Sequence, residues 1–246
     1  MPTREEIMAF VCQFFDRWIR NKDDIWLAFY RLLLDYIYGV PRITDSNRLR
    51  NGIWRDRARK VENDLAAAFA CNQQEVPGHL DTFMRKIYPK GTQRMNPIGI
   101  AFACGVVNLI HRFSAGLYDC KMEAKIGLDV FPKLTDFRRK SVDIVAWSKG
   151  RDTPFAVISS KWGIRHDRLR DPQEEADTYK KEVPSLKFLV VTNEFDNARL
   201  QKLLTYPNID GVFHVKRSLV LQSFNEEMSS DLVNLKDITE LLSIFL

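Results

Sequence analysis

The sequence predicts an α/β fold, a central mixed β-sheet flanked by helices with a helical N-terminal elaboration. Short apolar runs rich in β-branched residues recur through the second half of the chain, at 142–147, 155–160 and 187–192. Segments with helical apolar spacing fall before and between them. The 246 residues contain no repeat and no Pro/Gly/Ser-rich linker, and that length can bury one substantial core.

The elements follow in order. Thr3 and Glu6 form a capping box, and Ile7, Phe10, Val11, Phe14, Phe15 and Trp18 follow at helical spacing. A second helix runs from Ile25 to Tyr38 and stops at Gly39 before Pro41; its aromatic residues read as helix-packing core. Residues 1–50 are therefore expected to be a dependent helical elaboration, and 51–246 the core domain. Arg48, Arg50, Arg55, Arg57, Arg59 and Lys60 make the densest basic run, either a solvated helix face or a set of contacts to a phosphate backbone. Glu62 lies in the same helix, ahead of Leu65, Ala66 and Phe69. Residues 72–97 mix turn formers with a short helix near 80–87, and 98–111 reads as a buried helix or strand with His111 at a core edge.

Strands are then expected at 121–128, 142–147 and 155–160, the last two joined by the polar turn 148–154. Asp171, Pro172 and Glu174 have the form of a helix start, with Asp171 as N-cap and Pro172 at the first helical position. That helix runs to about 182, before Pro184. The run 187–192 is apolar throughout, as in a strand buried on both faces. A helix near 198–205, a strand at 211–215 and an amphipathic helix from 235 to 246 complete the chain.

A net charge of +5 and a pI near 9.0 are compatible with a nucleic-acid partner without establishing one. Cys12, Cys71, Cys104 and Cys120 form no CxxC pair and no metal-ligand spacing, so packed, reduced thiols are expected. The N-terminus has no signal-peptide pattern and the apolar patch 98–110 is too short to span a bilayer, so a soluble cytoplasmic protein without membrane contact is expected.

Chemistry concentrates between 141 and 182. Asp143 is the one carboxylate inside its apolar strand, and Lys161 stands at the polar end of the next, after Ser159 and Ser160. Adjacent strands would bring the two together, either as a buried salt bridge or as part of a site for metal-dependent phosphodiester hydrolysis. Between Lys161 and the helix lies Arg165-His-Asp-Arg168, alternating in charge and nearly devoid of apolar residues. Guanidinium groups bond guanine O6 and N7 bidentately and a carboxylate accepts from cytosine N4, so this loop is suited to reading G·C pairs.

Ser159-x-Lys161 followed by Arg165, Asp167, Arg168 and Glu175 resembles the signature of the CCGG-reading branch of PD-(D/E)XK type II restriction endonucleases. The resemblance covers roughly 141–182; Val142 stands where the family motif usually has proline. It implies a restriction-endonuclease-like core and Mg2+-dependent, site-specific hydrolysis of double-stranded DNA. Ser159 would occupy the position where most relatives carry an acid, with the missing carboxylate supplied by the following helix. Glu174 and Glu175 both fit that position. The longer family spacing favours Glu175 and the capping pattern gives Glu174 a structural role. Asp143 and Glu175 would hold Mg2+ with the Ser160 carbonyl, Lys161 would serve the attacking water, and Arg165, Asp167 and Arg168 would contact bases. The superfamily's early-helix glutamate would be Glu62, with Glu123 a weaker candidate. A palindromic CCGG-containing target implies a homodimer and products with 5′-phosphates and 5′ overhangs. A structure-specific repair or junction nuclease of the same superfamily and a non-catalytic sequence-reading DNA-binding protein are the alternatives.

Overall fold

The computed structural model describes residues 97–134, 141–161, 163–164, 168–194, 196–221 and 232–246. The chain divides into two compact units, Met1–Ala101 and Phe102–Leu246, and nearly all described residues belong to the second. The 50/51 boundary, the early helices, the basic run at 48–60, Glu62, Arg165 and Asp167 lie outside the described residues.

Helix α1 (Pro97–Phe113) leads into the sheet. Six strands follow in sequence order across it: β1 (Tyr118–Lys125), β2 (Ser141–Ser148), β3 (Ala156–Lys161), β4 (Lys187–Thr192), β5 (Gly211–His214) and β6 (Lys236–Asp237). β1–β2–β3 pair antiparallel and β3–β4–β5–β6 parallel, so the sheet is mixed. Parallel neighbours need crossovers. These are α2 (Asp171–Glu182) between β3 and β4 and α3 (Asn197–Leu204) between β4 and β5. A short helix α4 (Arg217–Leu221) precedes β6, and α5 (Ile238–Leu242) with a final 3-10 turn (Ser243–Phe245) ends the chain.

The apolar runs become the middle of the sheet because both their faces are covered: every residue of β4 after Lys187 is buried, as are Ala156 to Ser160 of β3. At the Tyr118 end, Phe245 packs edge-on against Tyr118 and Phe155, with ring centroids 5.0 and 5.8 Å away. On α2, Pro172, Glu175, Ala176 and Tyr179 form the buried stripe. Tyr179 stacks on Phe131 at 4.5 Å and 10° and lies 6.2 Å from the Phe188 ring.

Several boundaries depart from the sequence expectation. β1 spans Tyr118–Lys125 rather than 121–128, because the chain turns at Gly127 (φ 82°), where the Asp129 carboxylate accepts from the Lys125 amide at 2.8 Å. Residues 98–111 are helical throughout, and His111 is exposed in the last turn of α1 instead of lying at a core edge. Asp171 is not the N-cap of α2: Arg170 holds that position without a side-chain bond, and Asp171 is the first helical residue. The expected 235–246 helix is divided, since Lys236 and Asp237 pair with Phe213 and His214 before the chain turns helical. Asp237 then caps α5 in a reciprocal box with Glu240. No helix among the described residues is long and apolar enough to cross a membrane.

Candidate active site

The site begins where two strands part. β2 and β3 pair through Ala146↔Ala156, Val145↔Val157 and Ile144↔Ile158, and their ladder stops there. On its other side β3 stays paired with β4 as far as Lys161↔Thr192. Ser160 therefore needs a different acceptor on the β2 side, because a buried amide left unpaired costs about 1–3 kcal/mol. Asp143 supplies it: the Ser160 N–H donates to Asp143 Oδ2 at 3.0 Å. Lys161 Nζ donates to the same oxygen at 2.5 Å. Both side chains of this ion pair are about one-fifth exposed, 21% for Lys161 and 22% for Asp143.

Residues directly opposite in an antiparallel pair share a face and alternate residues of a strand do likewise. Continued past Ile144↔Ile158, that register puts Asp143, Val145, Val157, Ser159 and Lys161 on one face. Phe188, beside Val157, belongs to the same face, and its contact with Tyr179 shows that α2 covers it. Glu175 precedes Tyr179 on the buried stripe of α2 by four residues, about 6 Å along the helix axis. α2 runs back from the end of β3 to the start of β4, so this step leads from Phe188 toward the strand ends where Lys161 and Thr192 stand. Glu175 is 2% exposed. Its neighbour Glu174, about 100° round the helix, is exposed. Ser159 is 1% exposed, and its hydroxyl has no hydrogen-bond partner.

Asp143 and Lys161 are thus joined directly, and Ser159, Ser160 and Glu175 are buried around the same strand ends. Arg168 is exposed just ahead of α2. Glu123, on β1, stands opposite Asp143 of β2, between the partners Met122↔Ile144 and Ala124↔Val142. It is exposed and sits in left-handed backbone, φ 46°, a conformation that costs a non-glycine residue of order 1 kcal/mol.

The oxygens here suit a small hard cation. Mg2+ takes one or two carboxylates and keeps several waters. Among the described residues no group of three or more His, Cys, Asp or Glu side chains stands ready to hold a metal. A buried carboxylate at Glu175, a half-buried one at Asp143 and a buried hydroxyl without a partner at Ser159 are oxygen donors of the kind a hydrated Mg2+ takes.

Beyond the strand end, Glu194 and Arg199 grip the chain where it leaves β3. Glu194 Oε2 accepts from the Ile164 N–H at 2.8 Å, and Arg199 Nη1 donates to the Ile164 carbonyl at 2.7 Å and to Glu194 Oε2 at 3.1 Å. Sequence reasoning missed this pair. Glu194 reads there as one more polar residue after a buried strand, and only its long-range partner gives it a role.

The fold is restriction-endonuclease-like. The chain is similar to the protein in the solved complex of restriction endonuclease PspGI with substrate DNA, with a TM-score of 0.51 covering 100% of this chain and 92% of that one. Identity is 10%, so the likeness is one of fold. No protein-family model and no curated protein matches the sequence.

Proposed function

We propose that this protein is a type II restriction endonuclease that hydrolyses double-stranded DNA within a palindromic site containing CCGG, with Mg2+ as cofactor. The observation that carries the reading is the Asp143–Lys161 pair at the fork between β2 and β3, on the face that α2 covers with Glu175. The restriction-endonuclease fold and the DNA-bound state of its structural neighbour agree with it.

Asp143, Glu175 and the Ser160 carbonyl would hold the ion. When bound, Mg2+ makes a coordinated water more acidic and polarises the phosphoryl oxygens. Lys161 orients the attacking water and offsets negative charge building on the phosphate. Asp143 holds the ammonium in place through the 2.5 Å contact, and Ser159 lines the same pocket. Attack at phosphorus with loss of the 3′ oxygen leaves 5′-phosphate ends, with four-base 5′ overhangs if the cut falls before the CCGG. Arg165 and Arg168 bond guanines and Asp167 accepts from cytosines. Glu62 is the further acid proposed to face the metal. A two-fold target calls for a homodimer.

Digestion of a sequenced plasmid with and without Mg2+ tests the whole reading. Discrete Mg2+-dependent fragments with CCGG at their ends are expected. Cutting at structured DNA without sequence preference would indicate a repair or junction nuclease. A mobility shift with no cutting would indicate a binding protein.

A further inference from the structure

We infer that Glu194 and Arg199 are specificity-determining positioning residues, holding the root of the base-reading loop rather than touching DNA. The inference rests on the reading of Arg165, Asp167 and Arg168 as base contacts. β3 ends at Lys161, and its ladder with β4 continues for one more bond, Asn193 N–H to the Lys161 carbonyl at 3.4 Å. Beyond that, side chains hold the chain at Ile164. Glu194 and Arg199 between them satisfy both the N–H and the carbonyl of Ile164, the residue directly before Arg165.

The pair is itself held. Glu194 is 6% exposed, and its other oxygen, Oε1, accepts from the Asp196 N–H at 2.9 Å. Asp196 caps α3 through the Arg199 N–H at 3.2 Å, which fixes the base of the arginine. Ile164 is buried, so its side chain is anchored along with its peptide groups. At the far end of the loop Leu169 is also buried, and Tyr206 Oη donates to its carbonyl at 3.5 Å. Ile164 and Leu169 thus bracket the loop and its exposed Arg168, both anchored by residues that carry no proposed base contact.

A charge-assisted grip on a buried peptide group is a strong way to fix a loop root. Displacement of about 1 Å is enough to misalign a bidentate guanidinium–guanine contact. Losing the grip should degrade discrimination between sites more than affinity for DNA in general, since phosphate contacts elsewhere supply the non-specific binding.

The test compares wild type, Arg199→Ala, Arg199→Lys and Glu194→Gln. Readouts are cleavage rates on the cognate duplex and on duplexes with one substituted base pair, binding to non-specific DNA, and melting temperature. Arg199→Ala is expected to lower the cognate-to-substituted rate ratio at least about tenfold, with non-specific binding within about twofold of wild type. Arg199→Lys keeps a donor and a charge beside Glu194 and should recover part of that ratio. Glu194→Gln should fall between the two. If Arg199→Ala does not fold, Arg199→Lys and Glu194→Gln carry the comparison. A wild type that discriminates alongside folded variants that discriminate equally well would overturn the inference alone. A wild type that treats all sequences alike removes the base-reading loop, and the positioning role with it.

Discussion

Glu174 and Glu175 compete in sequence for one role, and the structure makes their separation measurable. Glu175→Gln preserves shape at a site 2% exposed and removes one of the two carboxylates proposed to hold the cation. Glu174→Gln makes the same change on the exposed side of α2. With a dissociation constant of about 1 mM for Mg2+, about 10 mM of the ion stabilises the folded protein by RT ln(1 + 10), about 1.4 kcal/mol. For a chain of this length that raises the melting temperature by about 3–5 °C. Loss of a carboxylate ligand that weakens affinity about a hundredfold leaves less than about 0.1 kcal/mol and a shift of a few tenths of a degree. Site occupancy falls from about nine-tenths to about one-tenth, so cutting slows at least about tenfold from occupancy alone. The assay is thermal unfolding of wild type, E175Q and E174Q with and without Mg2+, paired with cleavage rates. Glu174→Gln should keep the metal-dependent increment. An E175Q protein that retains both increment and rate, or an E174Q protein that loses both, refutes the assignment of the inward glutamate.

Three further outcomes are expected. Lys161→Ala should abolish cleavage while sequence-specific binding in a mobility-shift assay persists; near wild-type cutting would remove Lys161 from the mechanism. Arg168→Ala should cost roughly 1–3 kcal/mol of discrimination at one base pair, read from binding to duplexes substituted one pair at a time. Equal weakening on all sequences would make Arg168 a phosphate contact. Burial, aided by the Asp119 charge, pushes the Cys120 thiol from 9.0 up to about 12. At pH 8 its thiolate should be about a thousandfold scarcer than in the unfolded chain, and peptide mapping after iodoacetamide treatment should find Cys120 labelled correspondingly slowly until the protein is denatured.

The parts of the fold legible in sequence were those whose residue types follow from burial alone. β4 matches its expected limits, and β2 and β3 come within a residue of theirs, because each is built round a buried run of apolar residues, Phe188–Val191, Ile144–Ala146 and Ala156–Ile158 respectively. β1 was displaced because Ile126 and Leu128 extend an apolar pattern past the point where Gly127 and Asp129 turn the chain. β6 was invisible for a related reason: Lys236 and Asp237 are polar, and their strand state comes only from pairing with β5. The same division runs through the site. Asp143 and Lys161 stood out as charges in apolar strands, and the structure joins them. Glu194 and Arg199 carry no such local mark, and their role comes from contacts to Ile164, 30 and 35 residues away in the chain.

A single feature of the sheet accounts for both halves of the site. Had β2 and β3 stayed paired past Ile158, the Ser160 amide would be spent in the ladder, leaving Asp143 without its bond to it. The fork lets one carboxylate close the backbone account of β3 while presenting its charge to Lys161. The opposite edge of β3 cannot also come loose, because a strand end unpaired on both sides would not hold an ammonium within 2.5 Å of its partner. There β4 stays in register to Thr192, and Glu194 with Arg199 carries the hold on to Ile164. Under the proposed function, opening on one side would make room for chemistry, while the other side holds the chain at Ile164. The catalytic pair and the base-reading loop would then be coupled through one strand end. A substitution that weakens the β3–β4 tether is expected to disturb specificity first and, as the end of β3 loosens, the Asp143–Lys161 pair after it.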